Sequence, residues 1–350
     1  MNTIGSSGIK IAAIGGGTGL SAMLRGLRLC TENITAIVTT ADDGGGSGVL
    51  RQDMGIIPPG DIRNCILALA NTEPAMEKLL DYRFTEGGLK GQSFGNLFLA
   101  ALYGLSGSFE QAVLHMSDVL AITGQVLPVS NQPTHLEALF ENGTKIEGES
   151  RISAFKKEQK CRIKEIRIYP QNPSANDSAV RAILDADLVV LGPGSLYTSI
   201  IPNLLVCKIS EALQKTKAFR IYVCNIMTQE GETEGYTCYD HAAELNRHAK
   251  GSVFDICLAN NRSVPEEIIP LYAGESAEPV ATDRELFAQN GIVLEEYPLL
   301  QMKNTRVRHH PIDLAFALCD LFVQNAPRSG GFAEADNRLL SWLKEKQLER

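Results

Sequence analysis

The residues best suited to chemistry sit in two glycine-rich stretches, each behind an apolar, β-branched run. Residues 9–14 lead into Gly15, Gly16, Gly17, Thr18 and Gly19, and residues 34–40 lead into Asp42 and Asp43, followed by glycines and a serine up to Gly48. Glycines between a strand and a helix let the main chain approach a phosphate, and the helix N-terminus adds a partial positive charge. The first hypothesis is therefore a nucleotide or another phosphorylated ligand. Gly17-x-Gly19-x-x-Ala22 matches the dinucleotide fingerprint, with Asp42 near the expected ribose-binding offset. NAD is nevertheless disfavoured, because Asp42 opens a second glycine loop where a NAD site has a single acid. Asp42 and Asp43 can hold Mg²⁺ beside a diphosphate, since that ion takes carboxylate oxygens and keeps several waters. Alternatively, one caps the following turn and the other is solvated. If the protein is an enzyme, Asp42, Asp43 and Asp61 are its candidate catalytic acids.

The remaining candidates are spread along the chain. Arg51 and Arg63 are nearby counter-charges for a phosphate, with surface pairing as their ordinary use. Asn64 lies beside Arg63, off the apolar stripe of its helix. Asn96 offers an amide to a ligand or caps a helix. Gly194 and Ser195 belong to a third glycine loop, 192–195, where a phosphate-binding hydroxyl is favoured over a nucleophile because the pattern is not G-x-S-x-G. Asn225 and Asn260 end strands and suit a base or sugar. Tyr272 can stack on a ring or fill core. Arg308 sits in the densest basic cluster, 306–310, and is placed to close on a diphosphate. His309 and His310 are adjacent on a strand and point apart, which disfavours a metal pair.

The elements that must position these groups alternate strand and helix. Strands are expected at 9–14, 34–40, 186–191, 220–225, 254–259 and 292–297. Helices are expected after Gly19, over 62–69 with Asp61 as N-cap, 95–104, 109–120, 178–184, 209–213, 239–248 and 311–323. This is the pattern of an α/β, Rossmann-like, doubly wound and mostly parallel sheet, whose ligands bind at the carboxyl ends of the strands. On that rule the loops at Gly15, Asp42, Gly192, Asn225 and Asn260 lie along one edge. Between about 124 and 169 the texture becomes β-rich, with short strands at 126–129, 135–140, 144–146 and 162–168. Asn142-Gly143 signals a hairpin in which both residues take positive φ. The expected insertion is antiparallel, and Lys156-Lys157-Glu158 reads as a solvated loop. Residues 1–325 are expected to form one domain, and 326–350 a loose linker with a charged helix carrying Trp342.

Composition restricts the classes. A chain of 350 residues with 44% hydrophobic content can bury a full core. A net charge of −8 opposes nonspecific binding to nucleic acid or to an anionic membrane. No apolar run reaches the ~18 residues of a membrane span, so no membrane insertion is expected. Eight cysteines without a C-x-x-C spacing read as reduced core residues of a cytoplasmic protein.

Five blocks, in order, carry a family resemblance: IGGGTGL (14–20), TTADDGGGSGVLR (39–51), PPGDIRN (58–64), LGPGSLYTS (191–199) and YVCNIMTQ (222–229). Across residues 10–323 the chain resembles the bacterial gluconeogenesis factor family, the YvcK-like branch of the CofD-like fold. The resemblance implies a cytoplasmic factor for cell shape and for growth on gluconeogenic carbon sources, binding UDP-sugars, notably UDP-N-acetylglucosamine. By motif, Thr18 falls in the nucleotide loop, and Tyr272 and Arg308 match ligand-binding positions. The related branch, 2-phospho-L-lactate transferase, uses Mg²⁺ and a nucleotide-diphosphate donor. A Mg-dependent phosphotransferase is accordingly the competing expectation. Partners left open are a second copy of the chain and proteins of cell-wall synthesis.

Overall fold

The protein is described by a computed structural model over residues 8–303 and 305–325, together with Ser341 and Glu345. Its strands are β1 (Ile11–Gly15), β2 (Ile34–Val38), β3 (Gln125–Pro128), β4 (His135–Phe140), β5 (Lys145–Glu147) and β6 (Ile163–Tyr169) in the first half. The second half supplies β7 (Leu188–Leu191), β8 (Phe219–Val223), β9 (Ile256–Asn260), β10 (Val293–Tyr297), β11 (Leu300–Lys303) and β12 (Arg306–His309). Helices α1 (Gly17–Leu27), α2 (Gly45–Met54), α3 (Gly60–Leu69), α4 (Pro74–Asp81), α5 (Phe94–Ser106) and α6 (Phe109–Val119) precede β3. Helix α7 (Glu149–Gln159) lies between β5 and β6. Beyond it come α8 (Asp177–Asp185), α9 (Ile201–Leu204), α10 (Ile209–Lys215), α11 (Cys238–Ala249), α12 (Ile269–Ala273), α13 (Arg284–Gln289) and α14 (Pro311–Asn325).

Seven strands form one sheet in the order β10-β9-β8-β7-β1-β2-β3, and every pairing in it is parallel. Alternation of side chains splits β1 between two cores. Ile11 and Ala13 join the face covered by α1, α3, α6 and α14, while Ala12 and Ile14 join the face covered by α8 to α11 and the small sheet. The chain winds outward from β1 through β2 to β3, then returns to the other side of β1 as β7. The switch point therefore falls between β1 and β7, where a crevice opens beyond the strand ends.

Several expectations change. Residues 126–129 do not belong to the insertion: β3 is the parallel edge strand beside β2. The small antiparallel sheet is β5-β4-β6. In its hairpin only Gly143 takes positive φ, at 85°. Asn142 instead accepts the Thr144 N–H on its side chain at 3.0 Å, so the turn is wider than the tight type. Lys156 and Lys157 are helical, in α7, and Lys156 is only 3% exposed. The second glycine stretch forms the first turn of α2, and Asp61 lies inside α3, whose N-cap is Pro59. The tail with Trp342 lies outside the described residues. Among the described residues no helix is long and apolar enough to cross a membrane. All eight cysteines are free thiols, six of them buried.

Candidate functional site

The crevice at the switch point is a cleft of about 430 Å³, lined by Gly16–Gly19, Pro193–Ser195, Asn225–Glu230, Tyr272 and Arg306–His309, among others. One wall is the start of α1. Its N-cap, Gly16, has no side chain to bond the first-turn amides, and no acidic residue stands in that turn. Gly17 adopts φ +66°, a region open to glycine at no steric cost. Gly19 lets the helix pack on the β7 loop, because a Cβ there would lie 2.4 Å from the Pro193 carbonyl oxygen. Thr18 is exposed on the cleft's lip.

The opposite wall is the β11–β12 hairpin. Arg308 projects from it exposed, and Arg306 pairs with Glu275 while its guanidinium lies 5.5 Å from the Tyr272 ring centroid. Tyr272 is buried and its hydroxyl accepts the Val307 N–H at 2.7 Å, so it supports the hairpin from beneath. His309 points inward, donating from Nε2 to the Cys224 carbonyl at 3.1 Å. Burial lowers its pKa to about 4 and keeps the ring neutral.

The floor is the loop after β7 and the loop after β8. Asn225 is not free to read a base: it accepts the Gly194 N–H at 3.2 Å and donates to the Gly194 carbonyl at 2.8 Å, fixing that loop. Ser195 donates to Gln229 Oε1 at 2.7 Å, and Gln229 Nε2 donates to Glu232 at 3.2 Å. Glu232 is 1% exposed and also accepts from Thr198 Oγ1 and the Tyr197 N–H. Burial pushes its carboxyl up to about 7 against those donors. Lys156 reaches this loop from α7, donating to the Glu232 carbonyl at 2.7 Å and pairing with Glu234.

The other predicted residues gather elsewhere. Asp61 lies behind the glycine loop, accepts the Gly17 N–H, and is raised by burial and the Asp42 charge to about 6. Asp42 accepts the Gly44 N–H at 2.9 Å and shares a hydrogen bond with Glu149, whose pKa is driven far up by burial and then by the Asp42 charge. Asp43 turns to α7, accepting both the Ser150 N–H and its hydroxyl. The two adjacent aspartates are thus engaged separately, and among the described residues no group of three His, Cys, Asp or Glu side chains is placed to hold a metal ion. Arg63 is buried and spends its guanidinium on the Leu80 carbonyl, Asp81 and Asn64. Arg51 is half-buried on α2. Asn96 is not a cap, that role falling to Ser93, and its amide donates to Ser47. Asn260 pins the backbone at Arg262 and Leu299.

Of the sequence candidates the fold brings together Gly16 to Gly19, Gly194, Ser195, Asn225, Tyr272 and Arg308; Gly15 ends β1 just beneath them. Sequence reasoning named Arg306 only as part of the basic cluster, read Lys156 as a solvated loop residue, and left out Gln229, Glu232 and Glu149. The polar run 227–235 at a strand end was the available signal for Gln229 and Glu232. For Glu149 and Lys156 there was none, since their partners lie 76 or more residues away, or 107 in the case of Asp42.

A parallel sheet whose switch point opens into a cleft between the start of α1 and the β11–β12 hairpin defines a doubly wound α/β protein. A family sequence model described as 2-phospho-L-lactate transferase CofD matches residues 11–300. A protein of Thermoanaerobacterium thermosulfurigenes is 54% identical over 315 residues, covering 90% of this chain and 97% of the relative. The gluconeogenesis factor of Bacillus subtilis (strain 168) is 45% identical over 313 residues, 89% of this chain and 98% of the relative. A crystal structure of a Bacillus halodurans protein superposes with a TM-score of 0.85 at 40% identity, over 89% of this chain and 99% of that one. This chain belongs to the CofD family, among its relatives named gluconeogenesis factors.

Proposed function

We propose that the protein is a UDP-sugar-binding regulatory factor, with UDP-N-acetylglucosamine as its ligand, that ties gluconeogenic carbon flow to cell-wall synthesis and cell shape. The observation that carries the reading is the cleft itself. In a chain of net charge −8, it opposes the start of α1, where Asp61 takes the Gly17 N–H and Gly16 has no side chain to cap the next amides, to Arg306 and Arg308 across a space of about 430 Å³. Backbone amides at a helix end and guanidinium groups are the two standard diphosphate ligands, and the volume is that of a small-molecule site. The role in morphogenesis rests on the family resemblance. Binding is taken to be a signal, since the carboxylates a transferase would use, Asp42, Asp43 and Asp61, are engaged behind the glycine loop.

Titration calorimetry with UDP-N-acetylglucosamine, NAD and GDP, each with and without Mg²⁺, tests this. Saturable binding of the UDP-sugar alone is the expected result, and its absence sinks the reading. Product formation from a phospholactyl nucleotide and a deazaflavin, lost in Asp42→Asn, would put the transferase in its place.

A further inference from the structure

The cleft floor holds a chain of hydrogen bonds whose direction is fixed by its buried end. Glu232 Oε1 meets Thr198 Oγ1 at 2.8 Å and Gln229 Nε2 at 3.2 Å, and Oε2 meets the Tyr197 N–H at 3.2 Å. Burial raises the acid to about 7, so above that pH Glu232 is a carboxylate that offers only lone pairs, and the Tyr197 N–H, which can only donate, already occupies Oε2. With the carboxylate as acceptor, Gln229 must turn its NH₂ toward Glu232. The reversed amide would set oxygen against oxygen in a buried site, which is costly at low dielectric. Gln229 Oε1 therefore faces Ser195 and takes its proton, at 2.7 Å. The hydroxyl has one hydrogen, and it is spent. What Ser195 presents to the cleft is a pair of lone pairs.

We propose that Ser195 acts as a hydrogen-bond acceptor in the cleft and recognises the N–H or O–H groups of the ligand's distal sugar, with Glu232 as the positioning residue that imposes this polarity through Gln229. Resting on the UDP-sugar reading, this assigns the two ends of the ligand. Phosphate oxygens, which are acceptors, have no partner in Ser195, and belong at the α1 N-terminus and the arginines. Glu230 lines the same cleft with its carboxylate paired to Lys157 at 3.0 Å. Ser195 thereby departs from the phosphate-binding role its place in a glycine loop suggests.

Two measurements decide it. In the ligand-free protein at a pH above about 7, the Gln229 side-chain amide hydrogens should exchange more slowly than those of an exposed glutamine in both wild type and Ser195→Ala, because they face the buried carboxylate. Fast exchange brought on by Ser195→Ala would mean the amide faces the serine and would overturn the assignment. In calorimetry, Ser195→Ala should weaken UDP-N-acetylglucosamine by about threefold to tenfold, the value of one neutral hydrogen bond, and UDP by less than about twofold. An equal loss on both ligands, or none on either, refutes the sugar contact. If wild type binds neither compound, the UDP-sugar function fails, while the exchange experiment still decides the direction of the hydrogen-bond chain.

Discussion

Replacing Gly19 by alanine sets two terms of similar size against each other, and the structure decides the sign. In a helix, alanine is better than glycine by about 0.5–1 kcal/mol. At Gly19, however, the new Cβ would lie 2.4 Å from the Pro193 carbonyl oxygen, 2.8 Å from its carbon and 3.1 Å from the Gly194 nitrogen. Ordinary carbon–oxygen approach is about 3.3 Å, so the β7 loop and α1 must separate by about 0.9 Å, and every atom in the way is backbone. Overpacking of that kind costs about 1–3 kcal/mol. The net expectation is a loss of up to about 2.5 kcal/mol, centred at about 1 kcal/mol, or a Tm lower by up to about 4 °C in a chain of this size. UDP-N-acetylglucosamine affinity should fall by at least about tenfold, since a 1 Å misplacement of positioning groups has effects of that order or larger. Gly104→Ala is the control. That glycine lies within α5 with nothing near its would-be Cβ, so only the propensity gain remains and Tm should rise. Differential scanning calorimetry and ligand titration on both variants make the check. A Gly19→Ala protein as stable as Gly104→Ala, with unaltered affinity, would refute the packing argument.

Three further perturbations follow from the same geometry. Arg308→Ala should weaken UDP-sugar binding about tenfold or more, the value of a charge-assisted contact, and leave Tm unchanged because the side chain is exposed; unchanged affinity removes Arg308 from the site. Lys156→Met should cost about 2–4 kcal/mol in urea unfolding, since it strips a buried cation from Glu234 and from the Glu232 carbonyl, and a loss below about 0.5 kcal/mol would show that α7 does not depend on that anchor. The pH dependence of Glu232 has a definite sign. Its folded pKa, about 7, stands above the ordinary value of 4.5, so the folded state holds the extra proton. Its contribution is most favourable below pH 4.5 and is lost as pH rises through about 7. The stability of wild type relative to Glu232→Gln should accordingly fall between those limits, and a difference that is flat or rises with pH would contradict the burial that raises the pKa.

How far the sequence was readable depended on the range of the interactions involved. The strands of the main sheet were visible because both faces are buried and their runs are apolar and β-branched, as in 188–191. The edge strand β3 was misplaced because a four-residue run beside the insertion carries no sign of whether it pairs parallel to β2 or antiparallel to β4. Helix α7 was lost because its apolar face is narrow and one of its two buried side chains is a lysine, a residue type that is almost never buried unless paired. Its partner, Glu234, lies 78 residues away. Within the site, Gly17, Gly19 and Ser195 were legible from local backbone demands. Asn225 was found for the wrong reason, as a base reader, when its amide closes a ring with the Gly194 peptide. Gln229 and Glu232 needed the tertiary contact with Thr198 to acquire a role.

The two glycine stretches that look alike in sequence do opposite electrostatic work. The first leaves the α1 amides uncapped by any side chain of its own helix and joins α1 to the β7 loop, making a positive end. The second folds into α2, where a Cβ on Gly48 would lie 2.1 Å from the Asp43 carbonyl oxygen. That close approach holds Asp42 near Asp61 and against Glu149, and mutual repulsion with burial raises the last two. On the UDP-sugar reading, a diphosphate approaching the β1 edge would meet acidic groups behind the glycine loop on the β2 side, and amides and two arginines on the β7 side. Its position is set by the difference between the sides rather than by the glycine pattern. Shifting the ligand toward β2 would bring it against the hydrogen-bonded Asp42–Glu149 pair. On the UDP-sugar reading, the acidic loop that resembles a metal site would act on the ligand by exclusion, confining the phosphates to the cleft between α1 and the β11–β12 hairpin.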